Sequence, residues 1–162
     1  MGVLAAREMG AERIIAMSRH ASRQRLAREF GATDIVAERG EDGVARIKDL
    51  TRGVGADSVL ECVGTAESFD QALAVSRPGG TIGYVGVPHD VSLDGQRLFF
   101  GQKRMLGGPA PVRRFLPDLM DRVLKGRIKP GKVFDLLLPL AEVAEGYRAM
   151  DERRAIKVML SV

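Results

Sequence analysis

The chain is poor in several residue types, and each scarcity excludes a class of protein. Among its 162 residues there is one cysteine, Cys62, which excludes an internal disulfide and a cysteine-rich zinc site and favours the reducing cytoplasm. Aromatic residues make up only 5%, and 25 Lys and Arg are interspersed with 21 Asp and Glu, which argues against a nucleic-acid-binding surface. No apolar run approaches the length of a membrane span, and residues 1–9 lack the order of a signal peptide.

The sequence also lacks a G-x-G-x-x-G turn, although segments that normally follow such a turn are present. Residues 2–9 are typical of a helix, and residues 13–17 of an apolar strand that ends in Ser18-Arg19-His20. In a Rossmann unit, the side chain after the second strand recognises the ribose 2′ position. An acid there suits the free hydroxyl of NAD, whereas a small hydroxyl followed by arginine suits the 2′-phosphate of NADP. The pattern therefore predicts a dinucleotide-binding unit without its first strand and phosphate loop.

Segments typical of strands and of helices alternate along the rest of the chain. We predict strands at 13–17, 34–36, 57–62, 81–87, 91–93, 103–107 and 155–160, and helices at 2–9, 21–30, 42–51, 66–76, 95–101, 112–125 and 140–151. Arg77-Pro78-Gly79-Gly80 is predicted as a tight turn. This alternation predicts an α/β fold with a doubly wound, mostly parallel sheet, in a single domain over residues 1–162.

Several motifs occur in a fixed order along the chain: the helix–glycine–strand at 2–18, Phe30-Gly31-Ala32-Thr33-Asp34, Gly55-Ala56-Asp57, Glu61-Cys62-Val63-Gly64, Arg77-Pro78-Gly79-Gly80, Tyr84-Val85-Gly86-Val87-Pro88 and Ala155-Ile156-Lys157-Val158. Together they resemble the C-terminal coenzyme-binding domain of the medium-chain, zinc-type alcohol dehydrogenase and quinone oxidoreductase family. The resemblance implies a Rossmann-like domain truncated at its N-terminus, with Met1 inside the family's first helix. It also implies that the catalytic zinc domain is missing, so that zinc is expected only in that domain.

The same resemblance implies the residues that bind the cofactor, which is expected to be NADP rather than NAD. Ser18, Arg19 and Arg23 match the positions around the ribose 2′-phosphate, and Lys157 matches a basic position near the pyrophosphate. The segments that would line the cleft around the nicotinamide and its ribose are Cys62-Val63-Gly64, Val85-Gly86-Val87 and Gly107. Cys62 is expected to be a buried small residue rather than a reactive group. Lys157 is equally well explained as a solvated lysine. His89 is expected to be a surface histidine, and His20 either stacks near the adenine or is exposed; neither has metal-ligand spacing.

The resulting functional hypothesis is the NADP(H)-binding portion of a zinc-type oxidoreductase, not expected to be catalytically competent alone. The alternative is a non-catalytic interaction module that keeps the Rossmann scaffold for oligomerisation. An independent short reductase is not favoured, because neither Tyr84 nor Tyr147 has a lysine four residues later. The missing first strand would leave unpaired edges on strands 13–17 and 57–62, closed by rearrangement, by exchange with a second copy or by a partner's strand. The resemblance also implies a homo-oligomer paired through edge strands, with the segments 91–93 and 103–107 as candidate contacts.

Overall fold

A computed structural model describes residues 1–162 and confirms the α/β fold. Its helices are α1 (Gly2–Glu8), α2 (Ala21–Glu29), α3 (Gly40–Leu50), α4 (Ala66–Val75), α5 (Gly95–Phe100), α6 (Val112–Leu124) and α7 (Val143–Asp151). Its strands are β1 (Ile15–Met17), β2 (Asp34–Val36), β3 (Ala56–Glu61), β4 (Ser76–Tyr84), β5 (Arg104–Gly107), β6 (Leu136–Pro139) and β7 (Val158–Ser161). The chain divides into two compact units, Val36–Pro111 and a second one formed by Met1–Ile35 with Val112–Val162. None of the helices is long and apolar enough to cross a membrane.

The unit Val36–Pro111 is built on a three-stranded parallel sheet in the order β3-β4-β5. Helix α4 packs on β3 and β4, and Ala72, Leu73 and Ile82 form the buried core between helix and sheet. The three strands run in the same direction, so their carboxyl ends meet at one edge of the sheet. We call this the carboxyl edge; ligands of open α/β sheets bind at such an edge.

A lysine at the opposite end of this sheet joins α4 to the strands. The Lys103 ammonium donates hydrogen bonds to Leu73 O (2.6 Å), Ser76 O (2.8 Å) and Ser76 Oγ (2.7 Å). These carbonyls belong to the last turn of α4 and the residue after it, where a helix has acceptors without intrahelical donors. Partial burial of the ammonium lowers the pKa of Lys103. The contact fixes the end of α4 against the residue that precedes β5.

The second unit contains two small sheets, β1-β2 and the parallel pair β6-β7. Leu4, Phe30 and Ile128 form a buried cluster that joins α1, the end of α2 and the segment after α6. Helix α7 packs on β6 and β7. The Asp135 carboxylate accepts hydrogen bonds from the backbone N–H groups of Ile156 (2.8 Å) and Lys157 (3.2 Å), which aligns β7 with β6.

Helix α6 is amphipathic, yet none of its residues is buried. Its apolar side chains recur at intervals of three and four, as in a helix that packs through one face. This exposed stripe consists of Val112, Phe115, Leu116, Leu119, Met120, Val123 and Leu124. Pro117 lies inside the helix and supplies no N–H for an intrahelical hydrogen bond. Near its end, Arg122 pairs with Asp118 (2.9 Å) and with Glu8 of α1 (3.2 Å).

Two sequence predictions in the unit Val36–Pro111 were wrong. Residues 77–80 are not a separate turn but lie within β4, where the register shifts from Ala56↔Ser76 to Ser58↔Thr81. The Pro-Gly-Gly segment bulges there because five residues of β4 span the distance of two in β3. Residues 91–93 do not form a strand; they lie in the irregular loop before Asp94, whose carboxylate caps α5.

The second unit brings further corrections. Strand β6 (Leu136–Pro139) was not predicted, because its run of leucines has no alternation and its partner β7 is about twenty residues away. The last strand is Val158–Ser161 rather than 155–160, and a 3-10 helix, Leu140–Glu142, precedes α7. Strand β1 pairs only with β2, and β3 only with β4, so each of β1 and β3 has one unpaired edge.

Candidate functional site

The first loop of the carboxyl edge follows β3 and is organised by a buried acid. Glu61 ends β3 and is only 3% exposed. Its Oε1 accepts hydrogen bonds from Val63 N (2.7 Å), Gly64 N (3.0 Å) and Ser68 Oγ (2.7 Å), while its Oε2 is buried without a partner. Thr65 caps α4 in a capping box with Ser68. The sequence therefore turns from strand to helix within four residues, and Glu61 binds three donors of that turn.

The second loop follows β4 and lies directly on the first. Val85 N donates to Glu61 O (2.9 Å), and His89 N donates to Gly64 O (3.2 Å). A Cβ atom at Gly86 would meet the backbone of Val63 and Gly64 and lie 2.9 Å from Glu61 Oε2. A Cβ atom at Gly64, where φ is +90°, would collide with the carbonyl of Val87. Only glycine fits at these two positions, because the two backbones are in contact.

The two loops carry exposed apolar side chains. Val63, Val85 and Val87 are 66%, 71% and 69% exposed. Gly107 pairs with Tyr84 between β5 and β4, and its backbone lies against the Tyr84 ring, which packs on Phe69 at 5.5 Å between ring centroids. The structure therefore brings the sequence-predicted segments 62–64, 85–87 and 107 together at the carboxyl edge.

Cys62 also lies at this edge. Its Sγ is 3.8 Å from Leu60 O, and the residue as a whole is exposed. Desolvation of the sulfur raises the pKa of the Cys62 thiol, and the neighbouring Glu61 carboxylate raises it further. A raised pKa keeps the sulfur in its less nucleophilic protonated form at neutral pH. The expectation that Cys62 is buried was wrong, but the structure gives its thiol no activating partner.

The other predicted cofactor residues lie in the second unit, after β1. Ser18 Oγ accepts a hydrogen bond from His20 N (3.3 Å), and Ser18 O accepts one from Gln24 Nε2 (2.6 Å). These two bonds hold the residue after β1 against the first turns of α2. Arg19 is exposed and Arg23 is half-buried. Neither guanidinium has an acidic partner within ion-pair distance. The end of β1 therefore presents a hydroxyl and two arginines that no carboxylate neutralises.

Lys157 lies just before β7, in a different sheet from Ser18. It lines a cleft of about 180 Å³ together with Val143, Gly146, Tyr147, Met150, Val158 and Leu160. Its assignment to a pyrophosphate stays a prediction. The structure contains no group of three His, Cys, Asp or Glu residues that could hold a metal ion.

Two residues of the carboxyl edge were not singled out from the sequence. Both were noted as members of motifs, and Tyr84 also as a tyrosine without a lysine four residues later. The available signal for Glu61 was an acid directly after Val59-Leu60 at the end of a predicted strand and directly before Cys-Val-Gly. A charge at that position needs hydrogen-bond partners when the strand is buried.

Comparisons with known proteins show the family of this chain. The family described as Zinc-binding dehydrogenase matches residues 1–124. The chain is 32% identical to zinc-type alcohol dehydrogenase B of Aspergillus flavus over 94% of its own length and 36% of that protein. It is 32% identical to a geraniol dehydrogenase of Castellaniella defragrans, over 98% of its length and 44% of that protein. The chain thus spans less than half of the length of each of these relatives.

Solved structures give the same result for the fold. An alcohol dehydrogenase from Thermus sp. ATN1 superposes with a TM-score of 0.89 at 31% identity, over 99% of this chain and 47% of that one. The structure of an NAD-dependent alcohol dehydrogenase superposes with a TM-score of 0.87 at 31% identity, over 99% of this chain and 46% of that one.

Proposed function

We propose a function from one premise: this chain belongs to the zinc-binding dehydrogenase family. We infer that it is the part of a zinc-type oxidoreductase that binds a nicotinamide dinucleotide, and that it prefers NADP(H) to NAD(H). Its own task is to bind and orient the cofactor, which supplies hydride transfer when bound. The chain alone is not expected to oxidise an alcohol, and it is expected to be a cytoplasmic protein.

The observation that carries the preference for NADP(H) is the unpaired charge after β1. Ser18 stands where an NAD-specific site needs an acid, and Arg19 and Arg23 have no acidic partner that would compete for them. A guanidinium binds a phosphate through two parallel hydrogen bonds, which makes arginine well suited to a ribose 2′-phosphate. One related structure is that of an NAD-dependent alcohol dehydrogenase, so the binding of NADH has to be measured beside that of NADPH.

The nicotinamide end is proposed to bind at the carboxyl edge. Gly64 and Gly86 allow the two loops to lie in backbone contact, and Gly107 allows its strand to lie against the Tyr84 ring, so the three segments form one continuous surface. The exposed Val63, Val85 and Val87 side chains supply the apolar surface that a ring would remove from water. No general acid or base is assigned there, because Glu61 is buried and because desolvation of the sulfur and the Glu61 carboxylate raise the pKa of the Cys62 thiol.

A titration with NADPH and, separately, NADH tests the proposal through nicotinamide fluorescence. We expect saturable binding with NADPH favoured at least about tenfold, since one charge-assisted hydrogen bond contributes about that factor at an exposed site. Arg19→Ala and Arg23→Ala should each remove much of this preference without weakening NADH binding. Arg25→Ala, an exposed arginine of the same helix, is the matched control. Equal or tighter binding of NADH would contradict the NADP(H) preference, and no binding of either would contradict the function.

A second candidate, the oligomerising module, is favoured by the free edge of β5. This strand ends the β3-β4-β5 sheet, and the Leu106 side chain is exposed, as are Phe99 and Phe100 of α5. Strand-to-strand pairing of two copies would cover the unpaired backbone groups and this apolar surface. Light scattering should then report a dimer that Leu106→Lys dissociates. A monomer at all concentrations would contradict this candidate, and segment 91–93, which is not a strand, no longer belongs to it.

A further inference from the structure

Glu61 is an acid buried where an apolar residue would cost less. Removing a carboxylate from water is unfavourable by several kcal/mol unless its oxygens are hydrogen-bonded. Here all three donors bind Oε1, and Oε2 has none. Burial of this side chain does not by itself stabilise the fold. The carboxylate instead fixes the positions of the groups that it binds.

Those groups control both loops of the carboxyl edge. The N–H groups of Val63 and Gly64 point to Glu61 Oε1, which fixes the backbone of the first loop. The second loop rests on the first through the bond from His89 N to Gly64 O and the close approach of Gly86. Ser68 extends the same contact to the first turn of α4. A shift of the first loop would consequently displace the second.

We propose that Glu61 is a positioning residue, whose carboxylate holds the loops 62–65 and 85–88 in the arrangement that orients the nicotinamide end of the dinucleotide. The inference rests on the proposed cofactor function. It extends that function to a residue that touches no cofactor and acts through the backbone of Val63 and Gly64. The adenosine end, proposed to bind after β1, should not depend on Glu61.

Amide hydrogen exchange, measured by NMR on the full chain without ligand, tests whether Glu61 fixes the loop. The Val63 and Gly64 amides should be protected in the wild type and exchange at least about tenfold faster in Glu61→Leu, which has no acceptor. Glu61→Gln keeps one carbonyl oxygen and should retain part of the protection. Glu67→Gln, the same change at an exposed position of α4, is the control. Unchanged protection in Glu61→Leu would overturn the proposal.

Ligand binding separates positioning from general stability. In Glu61→Leu the affinity for NADPH should fall about tenfold, while that for 2′,5′-ADP, which lacks the nicotinamide, should stay unchanged. Equal losses for both ligands, or no loss for either, would overturn the positioning role. If Glu61→Leu does not fold, Glu61→Asp, whose carboxylate is one methylene short of the loop, replaces it in both measurements. A wild type that binds no NADPH would refute the proposed function, and the exchange data would then still decide whether Glu61 holds the loops.

Discussion

Replacing Lys103 by methionine should destabilise the chain measurably, although the residue lies far from the carboxyl edge. The substitution removes three hydrogen bonds of 2.6–2.8 Å to Leu73 O, Ser76 O and Ser76 Oγ. A hydrogen bond to a charged group contributes about 1.5–3 kcal/mol, and an unpaired buried acceptor costs about 1–3 kcal/mol. Lys103 is only partly buried, so water replaces some of these contacts and the methionine stem still packs. We therefore expect a loss of about 2 kcal/mol, or roughly 4–8 °C in Tm.

The assay is urea unfolding followed by circular dichroism, with Lys125→Met as the control because Lys125 makes an exposed ion pair with Asp121 (2.8 Å). The control should lie within about 0.5 kcal/mol of the wild type. The pKa of Lys103 is lowered in the folded state, so the unfolded state binds more protons between that pKa and the ordinary lysine value. In that alkaline window the wild type should gain stability relative to Lys103→Met as the pH rises. A Lys103→Met variant as stable as the control would refute the structural role of this lysine.

Two further predictions concern the carboxyl edge. Gly64→Ala should lower the free energy of unfolding by about 2–4 kcal/mol, because φ is +90° and the new Cβ would collide with Val87 O. Urea unfolding measures this loss. A loss under about 0.5 kcal/mol would mean that the two loops separate easily. Because the pKa of the Cys62 thiol is raised, the thiol should react with a disulfide reagent more slowly at pH 7 than a free cysteine does. The reaction should become faster as the pH rises above the ordinary pKa of a thiol. A reaction faster than that of free cysteine at pH 7 would show an activated thiol instead.

Local signals in the sequence were sufficient for most of the elements. The helices α2 and α4 and the strand Asp34–Val36 follow from apolar spacing and from glycines and capping residues at their ends. The errors arise where pairing across the chain decides the outcome. Pro78 and Gly79 carry turn chemistry, but the residues on both sides of them pair with β3, so the segment becomes a bulge in a strand. Leu136–Pro139 becomes a strand only because β7 and the Asp135 carboxylate align with it.

The candidate site divides in the same way. The hydroxyl and the arginines after β1 could be predicted because Ser18 and Arg19 are adjacent in the sequence and directly follow a predicted strand. Gly64 and Gly86 follow two parallel strands, so their loops could be expected at the same edge of the sheet. The direct contact between the two backbones could not be expected. The contact of Glu61 with two backbone N–H groups depends on how the loop closes, so no pattern in the sequence alone predicts it.

The exposed stripe of α6 has a consequence for how this 162-residue chain opens. A helix of 13 residues is marginal in water without packing, and Pro117 removes one of its internal hydrogen bonds. None of its residues is buried, and the ion pair that ties it to α1, between Arg122 and Glu8, lies near its end. The first turns of α6 should therefore be the earliest segment to unravel, with amide exchange and protease cleavage there long before the sheet β3-β4-β5 melts.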